Sequence, residues 1–248
     1  VVDLPPGARR GERIDLLMKV EGVPEPVPVA GAIEVAGPRP RIVEVHPSAP
    51  EDLPVALHPG ELPAGSFTSF ALRVEQADPR SRLRLECTDR TLALRPEILR
   101  AGEQKPFAML RTAGHGSLFL SLDAGALAQP GCELAAVLES EEEGASDPKP
   151  LGRVVRLPRI ESFELTNEQV REGVFAGRIT GQDLEMIERT GWNAWDGEPV
   201  TALPTPVAGE GRRHVLKVAL PWPSPKPRSP LYIWLRGESE GRLTRVVE

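Results

Sequence analysis

The chain has 248 residues, enough for two domains of ordinary size and part of a third. Proline (27) and glycine (23) make up about a fifth of it, but a hydrophobic content of 40% in regularly alternating runs excludes a disordered polymer. The formal net charge of -6 is spread along the sequence, so no basic face tracks phosphates and nucleic acid is excluded as a partner. No apolar run approaches the roughly 20 residues of a membrane helix, so no membrane insertion is expected.

In chain order, residues 1–40 come first. No charged stretch followed by an apolar one opens the chain, and the segment aligns with the end of the copies that follow. The expectation is a set of closing strands from a sandwich whose front half is missing, with the apolar strand 14–20 incompletely covered. Residues 41–158 then show period-two alternation at 41–45, 67–74, 83–87, 91–94, 107–111, 117–122, 132–139 and 153–157, bounded by Pro, Gly and Asp. Residues 159–248 repeat the pattern at 160–165, 174–180, 189–193, 200–203, 215–220, 231–236 and 242–247. Helical character is confined to a short turn within 184–190. Each set has the strand number and size of an immunoglobulin-like sandwich, so the fold class is all-β, tandem sandwiches with the first truncated.

The chain also repeats itself. Phe70-Ala-Leu-Arg-Val-Glu-Gln-Ala-Asp78 lies over Phe175-Ala-Gly-Arg-Ile-Thr-Gly-Gln-Asp183 without a gap, and the same register carries Cys87 onto Trp192. A second signature, apolar strand then Gly/Glu-rich turn, occurs at 14–22, 133–140 and 231–237, which marks a tandem array. Gly37-Pro-Arg-Pro-Arg-Ile42 and Leu157-Pro-Arg-Ile160 set the boundaries between copies.

Catalytic constellations are absent from the sequence. His46, His58, His115 and His214 are scattered without metal-ligand spacing. Gly114-His-Gly-Ser117 lacks a nucleophile elbow and is expected to make a tight turn. Glu141, Glu142 and Glu143 have no calcium-loop spacing and are expected to be solvated in a hairpin loop. The chain is therefore read as no enzyme, with no cofactor and no metal.

The aromatics define the candidate site. Leu231, Ile233 and Leu235 fall on one face of their strand, Tyr232 and Trp234 on the other. The repeats place Leu16, Met18 and Val20, and Leu134, Ala136 and Leu138, on the first face, all apolar, whereas Trp234 aligns with Lys19 and Val137. The aliphatic face is thus the expected core, with Trp234 pointing outward. Trp192 and Trp195 extend the patch and Trp222 sits at its rim. Such a platform stacks on sugar rings or anchors a protein partner; the alternative is packing between neighbouring domains, or loop 221–227 folding back over the face.

Pro158-Arg-Ile-Glu-Ser-Phe163, Gly173-Val-Phe-Ala-Gly-Arg-Ile-Thr-Gly-Gln-Asp-Leu184, Trp192-Asn193, Leu203-Pro204 and Val218-Ala-Leu-Pro221 together resemble the IPT/TIG type of immunoglobulin-like domain. The resemblance covers residues 159–248; in the middle copy Gln76 stands where Gly181 is matched. It implies early-set immunoglobulin-like sandwiches without catalysis of their own. It also implies an extracytoplasmic spacer or adhesion module, or alternatively an accessory, carbohydrate-binding region of a larger carbohydrate-active enzyme. In an immunoglobulin-like order, strands 83–87 and 132–139 are third and sixth and run antiparallel side by side. A disulfide between Cys87 and Cys132 is then reasonable if their Cα atoms lie within about 7 Å, and it would require an oxidising compartment; two separate buried thiols are the alternative.

Overall fold

The computed structural model describes residues 8–35, 37–48, 50–89, 91–92, 97–114, 116–222 and 228–247. In chain order the strands are β1 (Arg13–Met18), β2 (Val27–Glu34), β3 (Arg41–Ser48), β4 (Glu61–Pro63), β5 (Phe67–Glu75), β6 (Arg82–Cys87), β7 (Glu97–Arg100), β8 (Gln104–Lys105), β9 (Ala108–Thr112), β10 (Ser117–Asp123), β11 (Glu133–Ser140), β12 (Gly144–Ala145) and β13 (Lys149–Val155). There follow β14 (Arg159–Arg171), β15 (Val174–Gln182), β16 (Ile187–Gly191), β17 (Glu198–Pro199), β18 (Thr205–Pro206), β19 (His214–Pro221), β20 (Pro230–Leu235) and β21 (Arg242–Val247). Among the described residues, helix is limited to two 3-10 turns, Ala124–Ala126 and Leu184–Met186.

Alternation explains most of these strands. In β5, Thr68, Phe70, Leu72 and Val74 point inward while Phe67, Ala71, Arg73 and Glu75 face out. Two expected strands differ. Residues 200–203 carry none: they lie between Pro199 and Pro204, which cannot donate to a ladder, so the chain leaves β16 after the Val200 N–H bonds the Glu188 carbonyl. Of the strand expected at 91–94, residues 91–92 are in a turn and 93–94 lie outside the described residues; the strand of this region is β7.

The last strands form two sheets, ordered β14-β15-β19-β18 and β17-β16-β20-β21. Numbered from the start of that set with the two-residue β17 left out, this is the immunoglobulin order, with first, second, fifth and fourth strands in one layer and third, sixth and seventh in the other. Earlier strands repeat it as β3-β5-β10-β9-β8 and β4-β13-β11-β6-β7, with β12 on β11 and β4 parallel to β13. The fold is all-β and immunoglobulin-like.

The chain divides into two compact units: Val1–Pro47 with Ser69–Leu122 and Glu133–Leu151, and Ser48–Thr68 with Asp123–Cys132 and Gly152–Glu248. The first has Phe70, Leu72, Leu83, Leu85, Leu110, Leu120 and Leu134 fully buried. The second centres on Phe163, Ile179, Leu216, Leu220, Leu231 and Ile233, joined by Val55 from the distant segment 48–68. Within the first, β1 and β2 make an isolated two-stranded hairpin. Its Leu17, Met18, Val27 and Val29 are exposed, Ile14 and Leu16 half-buried. Val1 to Gly7 and Ala36, part of the expected closing strands, lie outside the described residues.

Candidate functional site

The aliphatic face of β20 is core: Leu231, Ile233 and Leu235 are buried among the other apolar side chains of the second unit. Trp234 nevertheless does not point into solvent. It is fully buried, which corrects the expectation drawn from its alignment with Lys19 and Val137. Two glycine-bearing loops cover its ring. A Cβ on Gly197 would stand 2.5 Å, and one on Gly241 2.7 Å, from indole carbons, so only glycine admits so close an approach at both places. The loops are tied together above the ring by the Gly241 N–H to the Ala194 carbonyl at 2.8 Å. The Arg189 guanidinium closes the remaining side, 5.3 Å from the ring centre, where the negative face of an indole attracts a cation. Val137, the aligned residue of β11, is buried as well, so the second face of this strand is covered in both copies.

Trp192 is also a core residue. It packs edge-on against Phe163 with ring centres 6.0 Å apart, and its Nε1–H donates to the Pro221 carbonyl at 2.6 Å. Tyr232, opposite Gly191 across the strand pair, is half-buried. The two remaining tryptophans reach solvent. Trp195 is 71% exposed, on a turn made when the Asn193 side-chain oxygen accepts from the Trp195 and Asp196 N–H groups, each at 2.8 Å. Trp222 is 38% exposed and edge-on to Phe175 at 6.4 Å. Each lies within three residues of one end of the Trp192–Pro221 hydrogen bond, so that bond gathers both at one end of the sandwich. The five aromatics therefore do not make one platform: two are core, one is intermediate and two are available. Of loop 221–227, the expected alternative cover, residues 223–227 lie outside the described residues.

Cys87 and Cys132, the chain's two cysteines, are in disulfide linkage, and no cysteine is free. Cys87 ends β6 opposite Leu134 of β11, and Cys132 immediately precedes β11.

Charge clusters elsewhere are internally matched. Glu141 pairs with Arg82 and Glu142 with Arg10. Glu143, expected to be solvated, has a side chain only 10% exposed, 2.5 Å from Arg10. No local pattern signals this, because Arg10 is more than 130 positions away. Ser117 and Gly114 close the expected tight turn between β9 and β10, while His115 lies outside the described residues. His58, Glu61 and Glu238 bring ligand atoms within 4.8 Å of one another, the spacing of a cation site. The cation they face is Arg242, whose side chain is 1% exposed. It makes paired hydrogen bonds to Glu61 at 2.6 and 2.7 Å and further ones to Glu238. Burial pushes the Glu61 carboxyl up, but donation from Arg242 and from the His58 N–H outweighs it, and the group ends below its ordinary 4.5. Burial likewise opposes the charge on Arg242, yet the two glutamates raise its pKa above the usual arginine value. Sequence reasoning missed this cluster.

No family model matches this chain, and no curated protein matches it. Among solved structures, the crystal structure of bovine butyrophilin is similar over 83% of this chain and 97% of that one, at 12% sequence identity and a TM-score of 0.37.

Proposed function

We propose that this chain is a non-catalytic recognition or spacer region built of tandem immunoglobulin-like sandwiches, in which Trp195 and Trp222 contact a protein or glycan partner. The observation that carries the reading is the exposure of these two indoles at one end of the last sandwich, beside the Trp192–Pro221 hydrogen bond. Large amphipathic rings on a rigid scaffold bind with little ordering cost. Residues 159–248 serve as an IPT/TIG-type domain, 41–158 as a second sandwich and 1–40 as closing strands of another. The Cys87–Cys132 bond supports an extracytoplasmic setting, where disulfides persist.

The test is a glycan array together with direct titration of any hit, using the full chain and a Trp195→Ala/Trp222→Ala variant. The expected outcome is loss of binding in the variant while unfolding stability stays within about 1 kcal/mol of the parent, the range of surface changes. A ligand bound equally by both proteins would remove the two tryptophans from the function.

A further inference from the structure

We infer that the outer edge of β21 is a strand acceptor, occupied within one chain by residues 54–57 and able to take the same segment from a second copy of this chain. β21 ends its sheet, and an edge strand presents unpaired N–H and C=O groups that recruit another strand. Here the recruit is a short strap. The Ala56 N–H donates to the Leu243 carbonyl at 2.8 Å, the Arg245 N–H donates to the Pro54 carbonyl at 3.0 Å, and Val55 stands opposite Thr244 in antiparallel register. Val55 is fully buried in the core that also holds Leu231, Ile233 and Leu235, so the strap supplies a core side chain as well as backbone pairing.

Arg242 locks it. From β21 this residue donates to the Ala56 carbonyl at 3.1 Å and grips Glu61 at the far end of the strap, while Glu238 holds it from its own side. Pro54 accepts from the Arg245 N–H but has no N–H to return a bond to that residue, so the pairing with β21 ends there. Along one flank, a crevice of about 350 Å³ bordered by Leu53, Leu57 and Leu243 leaves the strap less tightly packed than a central strand.

The choice of occupant follows from this chemistry. An acceptor that requires a β-branched side chain at one position and a carboxylate six residues later is satisfied by residues 55 and 61 of this sequence. The strap is remote in sequence, Ala56 and Arg242 being 186 positions apart. A strap entering from another copy would reproduce every contact and create none, the condition under which identical elements exchange at low cost.

The full chain provides the test. A fluorescent peptide of residues 50–63 is titrated into the wild type and into Val55→Asp, and amide exchange is followed at Arg245. With the internal competitor dislodged, Val55→Asp should bind the peptide at least about tenfold more tightly and expose the Arg245 amide about tenfold faster. Wild type refolded at high concentration should yield a dimer that Val55→Asp does not. If Val55→Asp fails to refold, Glu61→Gln takes its place in all three measurements. Equal peptide binding by variant and wild type, an unprotected Arg245 amide in the wild type, or wild type that stays monomeric after concentrated refolding would each overturn the inference.

Discussion

Strands β11 and β20 hold the same place in their sheets, sixth in each immunoglobulin order, and both are covered on two faces, but by different means. In β11 five consecutive residues, Leu134 to Leu138, are buried, and small or branched aliphatics suffice. In β20 the second face carries an indole, and two loops had to give up their side chains at Gly197 and Gly241 to lie against it. The neighbouring third strands differ in parallel. β6 ends in a cysteine bonded to the residue before β11, whereas at the aligned place after β16 Trp192 packs on Phe163. One sandwich closes this corner covalently and the other by aromatic packing, which shows that the strand order is independent of either device.

The sharpest break in that comparison is Trp234→Ala. Emptying a fully enclosed indole site should cost about 3–5 kcal/mol in denaturant unfolding, against about 2 kcal/mol for Val137→Ala. Gly241→Ala should be destabilising alone and nearly neutral in a Trp234→Leu background, because the ring is what the new methyl would strike. A cost below 1 kcal/mol for Trp234→Ala would mean that the loops do not cover it.

Next in size is the covalent corner. Replacing Cys87 and Cys132 by serine should lose about 2–4 kcal/mol through freed entropy of the unfolded chain. Mass spectrometry of unreduced, denatured protein should find no thiol; two free thiols would leave the sheet of β6 and β11 without its distinguishing device.

The smallest effect belongs to the Arg242 cluster. Glu61 has a folded pKa held below its ordinary 4.5, so its contribution is complete above that value and disappears as pH falls through the folded pKa. Stability should therefore drop by about 1–2 kcal/mol on acidification below about pH 4.5, an amount set by its charge-assisted hydrogen bonds. Glu61→Gln should flatten that part of the pH profile, as followed by thermal melting.

Alternation made most strands legible, because β5, β10, β15 and β19 are each half-covered and keep a period of two. It was a poor guide to Trp234, since a period of two assigns faces and does not say what lies on the outer one. The usable signal was the pair of glycines at 197 and 241, together with an apolar valine at the aligned position 137. The strap on β21 left no trace in local pattern: Val55, Glu61 and Arg242 are ordinary residues until the fold brings them together across the sequence. The strand expected at 200–203 failed for a local reason, two prolines at its borders.

All four tryptophans fall between residues 192 and 234, and both cysteines lie earlier. The second compact unit thus carries a built-in probe. Indole emission reports on the second compact unit alone, with buried and exposed rings contributing distinct bands, while far-ultraviolet circular dichroism reports on the strands of both units. Whether the two units melt together or separately is decided by whether indole emission and circular dichroism change at the same denaturant concentration.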